Sequence, residues 1–192
     1  MTADAGATRR SALLAAPVLC VMALAACDSG MKVENVLLPA GALRGTGDPL
    51  WQATELAAFA LAMRPQDLGG KPADAAFAVM LYEYAAAEAG NGRLADQNPA
   101  RLMREGRPHL RAAAGILGEA ESQRVIDALW AATEALRRGD EAAARAAFSA
   151  PVFRSPPEAP RDALSRLVVP AQAVRGLRAL RDALERERNP LR

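Results

Sequence analysis

Residues 49–89 read PLWQATELAAFALAMRPQDLGGKPADAAFAVMLYEYAAAEA, two runs of Ala, Leu, Met and aromatic side chains divided by a break rich in Pro and Gly. Ala, Leu and Met are strong helix formers. The first run opens on Asp48-Pro49, an N-cap acceptor followed by the imino acid favoured at the first helical position. Arg64-Pro65 ends it, because a proline biases the preceding residue away from helical backbone. Pro72 opens the second run, where Phe77, Met80, Leu81 and Tyr84 share one helical face, and Gly90-Asn91-Gly92 closes it. Few polar residues interrupt either segment. Helices over 49–64 and 72–89 are therefore expected to be largely buried and to form the core pair of an all-α domain.

The same punctuation continues toward the C-terminus. Asn98-Pro99 repeats the cap-and-proline device and starts an amphipathic segment that Gly106-Arg107-Pro108 is expected to kink or split. Residues 119–138 place Val125, Ile126, Leu129, Trp130, Thr133 and Leu136 on one side and end on Arg137-Arg138-Gly139, a basic last turn with a glycine cap. Asp140 caps a short helix to Ser149, and four prolines between 151 and 160 make a loop. A short helix is expected at 161–168, and Pro170 opens a last one to about Arg188, where Ala173, Leu177, Leu180 and Leu184 form the apolar seam. Its exposed side offers Arg178–Asp182, Asp182–Arg186 and Arg181–Glu185 as pairs four apart. The expected architecture is a compact bundle of about five to seven helices over 49–192. Within it, residues 130–151 resemble the helix–turn–helix hairpin of tetratricopeptide repeats, with Gly139, Ala144 and Phe148 at matching spacing. That family stacks such hairpins into peptide-binding grooves. Here one unit occurs without a 34-residue period, and an ordinary helical hairpin is the expected reading.

Composition limits the function. Among 192 residues, 51% are hydrophobic and 24% charged, with only 4% aromatic, so Ala, Leu, Val and Met must build the core. Net charge is +2, too balanced to imply nucleic acid as a partner. The C-terminal half is the basic one: residues 101–192 carry 17 basic and 12 acidic residues, whereas 27–100 carry 5 and 9. The cysteines are Cys20 and Cys27, so nothing after residue 27 can form a disulfide or a thiolate metal site.

The first 26 residues stand apart. A polar start carrying Arg9 and Arg10 precedes the uncharged stretch ALLAAPVLCVMALAA at 12–26. A charged region, an apolar region and small residues at the end make a secretory signal peptide. As a helix those residues would rise about 22 Å, short of the roughly 30 Å core of a bilayer. Leu24-Ala25-Ala26-Cys27 resembles the lipobox of bacterial lipoprotein precursors. That resemblance implies cleavage before Cys27, diacylation of its sulfur and anchoring to a membrane; two acyl chains suffice for stable attachment. Thr8-Arg9-Arg10-Ser11-Ala12-Leu13 also resembles a twin-arginine export motif, although Ala12 replaces the usual aromatic, and two arginines equally suit an ordinary signal. Asp28 resembles an inner-membrane retention signal of some bacteria, which leaves the choice of inner or outer membrane open. Residues 27–48, bearing Gly30, Pro39, Gly41, Gly45 and Gly47, read as the lipidated Cys and a flexible tether, although Val36-Leu37-Leu38 are apolar enough to dock on the domain.

Candidate chemistry is sparse. Arg101, Arg104, Arg107 and Arg111 would line one face of a continuous helix, a basic stripe suited to lipid headgroups or an acidic partner, or else a solvated face. His109 is the single histidine, so a His-based metal site is not expected, and no catalytic triad, P-loop or zinc-protease motif is present. Glu55, Glu83 and Glu88 lie in the apolar helices, where paired carboxylates would suit acid–base work and helix-boundary positions explain them equally well. Tyr82, Tyr84, Trp51 and Trp130 read as core packing. The expected function is a non-enzymatic, membrane-anchored interaction or scaffold module of the cell envelope, facing the periplasm, with a protein partner and no cofactor. The alternative is a carrier or sensor of a small apolar ligand bound between helices.

Overall fold

The computed structural model describes residues 33–189. Leu24, Ala25, Ala26 and Cys27, together with Arg9 and Arg10, lie outside the described residues. Among the described residues seven α-helices follow one another: α1 (Pro49–Ala57), α2 (Pro72–Ala89), α3 (Asn98–Ala113), α4 (Ser122–Arg137), α5 (Glu141–Phe148), α6 (Glu158–Ser165) and α7 (Ala171–Arg188). The domain is an all-α bundle; the one β contact among the described residues is an isolated bridge between Ile116 and Phe153.

Helix starts obey local chemistry. The Asp48 carboxylate accepts from the Leu50 N–H at 3.0 Å, with Pro49 in the first turn. Asp140 does the same for Ala143 at 2.9 Å after Gly139 has turned the chain at φ +69°. The second cap differs from expectation. Asn98 is already helical, and its side-chain oxygen accepts from Arg101 instead of capping. The short helix before α7 begins at Glu158, three residues earlier than expected, because Pro160 falls in its first turn, where a missing N–H is tolerated. α3 runs unbroken through Pro108, so the helix is not split there.

α2 is the central element. Of its 18 residues, 13 are buried, and α1, α3, α4 and α6 pack around it. Burial on all sides explains why its sequence is apolar nearly all round. α7 lies along α3 through small residues. A Cβ on Gly106 would come within 2.8 Å of the Ala173 Cα, and one on Gly176 within 2.9 Å of the Leu102 carbonyl oxygen. The hairpin of α4 and α5 buries Ala144 and Phe148, with Phe148 edge-on to Phe153 at 5.4 Å. It is one hairpin packed within the bundle.

Two departures shape the surface. α1 is continued past Ala57 by a π-helical turn, Ala58–Met63, closed by the Arg64 N–H donating to the Phe59 carbonyl at 2.9 Å. Pro65 holds Arg64 out of helical backbone (φ −133°, ψ 47°), so the last turn has to finish there. Residues 33–48 lack regular secondary structure, but they do not run free. Val36 and Ala42 are buried against the helices, so the docked alternative, not the flexible tether, describes this stretch.

Candidate functional site

The first helix turns one face inward, burying Leu50, Ala53, Thr54 and Ala57. Its other side is exposed, which corrects the expectation of a largely buried segment: Leu56 is 45% exposed, Phe59 51% and Met63 46%. Trp51, Phe77 and Trp130, expected as core, are half-buried at the core's margin. Together they line an open groove of about 860 Å3 whose walls include Trp51, Leu56, Phe77 and Trp130. A second recess of about 240 Å3 continues it past Leu56, Phe59 and Phe77 to Leu68.

Arginines are laid on these rings. The Arg137 guanidinium sits 4.8 Å from the Phe77 ring centre, Arg188 4.5 Å from Trp51, and Arg64 6.0 Å from Phe59. Phe77 and Trp130 meet at 6.3 Å, tilted by 48°. Arg181 reaches back from α7 to Glu55 at 2.7 Å, in place of the expected pairing with Glu185. Arg137 and Asp74 stand 3.8 Å apart, so the rim carries both signs. The face thus has aromatic rings at its centre and charge at its edge.

The predicted arginine stripe is divided. Arg101 stays exposed and pairs with Glu105 and Asn98 on its own helix. Arg104 is half-exposed. Arg107 and Arg111 turn inward, so the four do not form one surface for an anionic partner. Arg111 donates to the Gly118 and Ala120 carbonyls at 2.6 and 2.7 Å, and its Nε and Nη2 grip the Glu83 carboxylate, which is 1% exposed. Arg107 donates to both oxygens of Glu34 at 2.8 and 2.7 Å and stands 3.6 Å from Glu83. The Ser122 hydroxyl lies among all four, 2.9 Å from Glu83 and in hydrogen-bond contact with Glu34.

This network has electrical consequences. The hydrogen bond from Arg107 holds the Glu34 carboxyl below its ordinary value, outweighing burial, and Ser122 adds to the effect. Burial draws the Arg107 pKa down, yet the bond to Glu34 and the charge of Glu83 hold it above its ordinary value. Burial pushes the Tyr82 phenol up, aided by Glu83, and its O–H donates to the Met103 carbonyl at 2.9 Å. Tyr84 is pushed up to about 12 by burial and then by Glu88.

The three helix glutamates are not brought together. Glu55 pairs with Arg181, Glu83 lies in the buried network, and Glu88 accepts from Asn91 at 3.2 Å. His109 is exposed. No cluster of three metal-ligating side chains occurs among the described residues, and no helix among them is long and apolar enough to cross a membrane. Sequence reasoning missed Glu34, Asn91, Ser122 and Gln123, all of which bind across the bundle; none stands in a motif that would have flagged it. The chain matches no protein-family model, no curated protein and no solved structure.

Proposed function

We propose that this protein is a lipid-anchored envelope module that holds a protein partner in the groove of Trp51, Leu56, Phe77 and Trp130 and in the adjoining recess at Phe59. The observation that carries the reading is the exposed row of Leu56, Phe59 and Met63 beside that groove. Three large apolar side chains at spacings of 3 and 4 make the anchor pattern that one helix offers another. Aromatic rings at the centre of a patch, ringed by paired charges, supply the binding energy that interfaces concentrate in few residues. The groove is not enclosed, which suits a polypeptide better than a small apolar ligand, whose sites enclose most of the molecule. Attachment would come from Cys27, which the lipobox resemblance makes the acylated residue on the periplasmic side of a membrane.

A photo-crosslinking residue placed at Phe59 in cells, with a second at the exposed Val168 as control, tests the groove. A protein captured in near-stoichiometric amount at 59 and not at 168 supports the reading. Equal capture at both positions, or an enriched lipid or metabolite in place of a protein, overturns it, the latter in favour of a carrier. The anchor has its own test: Cys27→Ala should abolish acyl labelling and release the protein from membranes, whereas persistent labelling would remove the lipobox reading.

A further inference from the structure

The segment before α1 is held in an unusual manner. Residues 33–37 lack regular secondary structure, and their burial alternates, with Glu34 and Val36 turned inward and Val33, Asn35 and Leu37 outward. Among the described residues no backbone–backbone hydrogen bond fastens this stretch to the bundle. Two amide side chains hold its backbone instead. Asn91 accepts from the Glu34 N–H and donates to the Glu34 carbonyl, both at 3.2 Å. Gln123 accepts from the Leu37 N–H at 2.7 Å and donates to the Leu37 carbonyl at 3.1 Å. Between these clamps the Glu34 carboxylate enters the Arg107–Ser122 pair and Val36 is buried. Leu37 is 77% exposed and contributes only its backbone. A recess of about 490 Å3 adjoins the segment, lined by Arg107, Arg111, Ser122 and Gln123.

This is how a receptor holds a bound peptide: backbone gripped by carboxamides at two points, one charged and one aliphatic side chain read in between. We propose that the face formed by Asn91, Arg107, Ser122 and Gln123 is a receptor for an extended peptide carrying an acidic residue two positions before an aliphatic one, and that residues 34–37 occupy it in cis. The occupant's chemistry follows from charge. With Glu34 withdrawn, the guanidiniums of Arg107 and Arg111 face the single carboxylate of Glu83, so a second carboxylate has to be delivered. The aliphatic requirement follows from the socket of Val36. A tethered segment competes at an effective concentration in the millimolar range, so an external peptide gains access when the segment's own carboxylate is lost or its segment is engaged elsewhere. This inference stands on a different face from the aromatic groove and does not depend on it.

The test uses the full chain in detergent and a fluorescein-labelled peptide of residues 31–40, MKVENVLLPA, with its Glu→Gln counterpart. Fluorescence anisotropy should show the Glu34→Ala protein binding the Glu peptide at least tenfold more tightly than the wild type does. It should bind the Gln peptide at least tenfold more weakly, and adding Asn91→Ala and Gln123→Ala should abolish binding. No binding by a Glu34→Ala protein of unchanged helicity, or equal binding of the two peptides, overturns the proposal. Hydrogen exchange on the wild type gives a readout independent of any variant. The Glu34 and Leu37 amides should exchange at least a hundredfold faster than that of Leu81 in α2, through local release of the segment. Exchange of those amides only through global unfolding would make the segment a permanent part of the bundle and overturn the receptor.

Discussion

Arg111 of α3 and Glu83 of α2, 28 positions apart in sequence, form a buried ion pair in which the guanidinium also satisfies the Gly118 and Ala120 carbonyls. The pair ties the central helix to the α3–α4 loop. Removing Glu83 leaves the Arg111 guanidinium without its carboxylate, whereas removing Arg111 leaves Glu83 with Arg107 at 3.6 Å and Ser122 at 2.9 Å. Glu83→Leu alone should therefore lower unfolding free energy by about 3–5 kcal/mol and Arg111→Met by less, and the double variant should recover part of the larger loss, since the Gly118 and Ala120 carbonyls still lack their donor. Urea denaturation followed by circular dichroism checks this; a double variant no more stable than the weaker single one would show that the pair is not the unit of interaction.

The docked segment should respond to acid. Bonds from Arg107 and Ser122 lower the Glu34 pKa from its ordinary 4.5. A carboxyl depressed in the folded state contributes stability that is present above its unfolded pKa and lost as pH falls through the folded one. Exchange of the Glu34 and Leu37 amides, corrected for intrinsic rates, should thus be flat between pH 7 and about 5 and rise below the ordinary carboxylate range. Glu34→Gln should remove that acid step.

Both tyrosines of the chain sit in α2 and titrate high, Tyr84 at about 12 and Tyr82 above it. Phenol absorbance at 295 nm should show neither ionising near its ordinary value of 10 while the fold persists. Because the folded pKa values are raised, the stability they contribute is present below pH 10 and is lost as pH climbs through the folded values. A titration step near 10 in the folded protein would contradict the enclosure of α2.

The α3–α7 crossing has no room for a methyl group at its glycines. Gly176→Ala would set a Cβ 2.9 Å from the Leu102 carbonyl oxygen and 3.0 Å from the Met103 Cα, and Gly106→Ala meets the Ala173 Cα at 2.8 Å. Each should destabilise by roughly 1–3 kcal/mol, despite the gain of about 1 kcal/mol in helix propensity. Gly118→Ala, where nothing lies within 4 Å, should change stability by about 0.5 kcal/mol or less.

The groove residues should separate binding from folding. Leu56→Ser with Phe59→Ser should alter unfolding free energy by no more than about 1 kcal/mol per site, because both side chains are half-exposed. With the photo-crosslinking residue placed at Met63 instead, recovery of a crosslinked partner should fall at least tenfold. Undiminished recovery with both apolar side chains gone would move the interface elsewhere on the bundle.

Sequence by itself determined where most helices begin and end. Asp48-Pro49, Gly139-Asp140 and Pro170 act on backbone groups within four residues, so their effect is legible without knowing what packs nearby. The apolar run of 72–89 likewise announced a central helix, since only enclosure on every side suits such a pattern. Tertiary structure alone decided the rest. Whether Glu83 faces water or the core depends on Arg111 arriving from another helix. Whether Arg101, Arg104, Arg107 and Arg111 form a stripe depends on Glu34 and Glu83 drawing two of them inward. The open face of α1 became visible only once its buried face had been chosen, because Leu56, Phe59 and Met63 look no less apolar than the residues that vanish beneath them. Local chemistry acts over one helical turn, whereas burial and charge pairing are settled by residues that the sequence places tens of positions away.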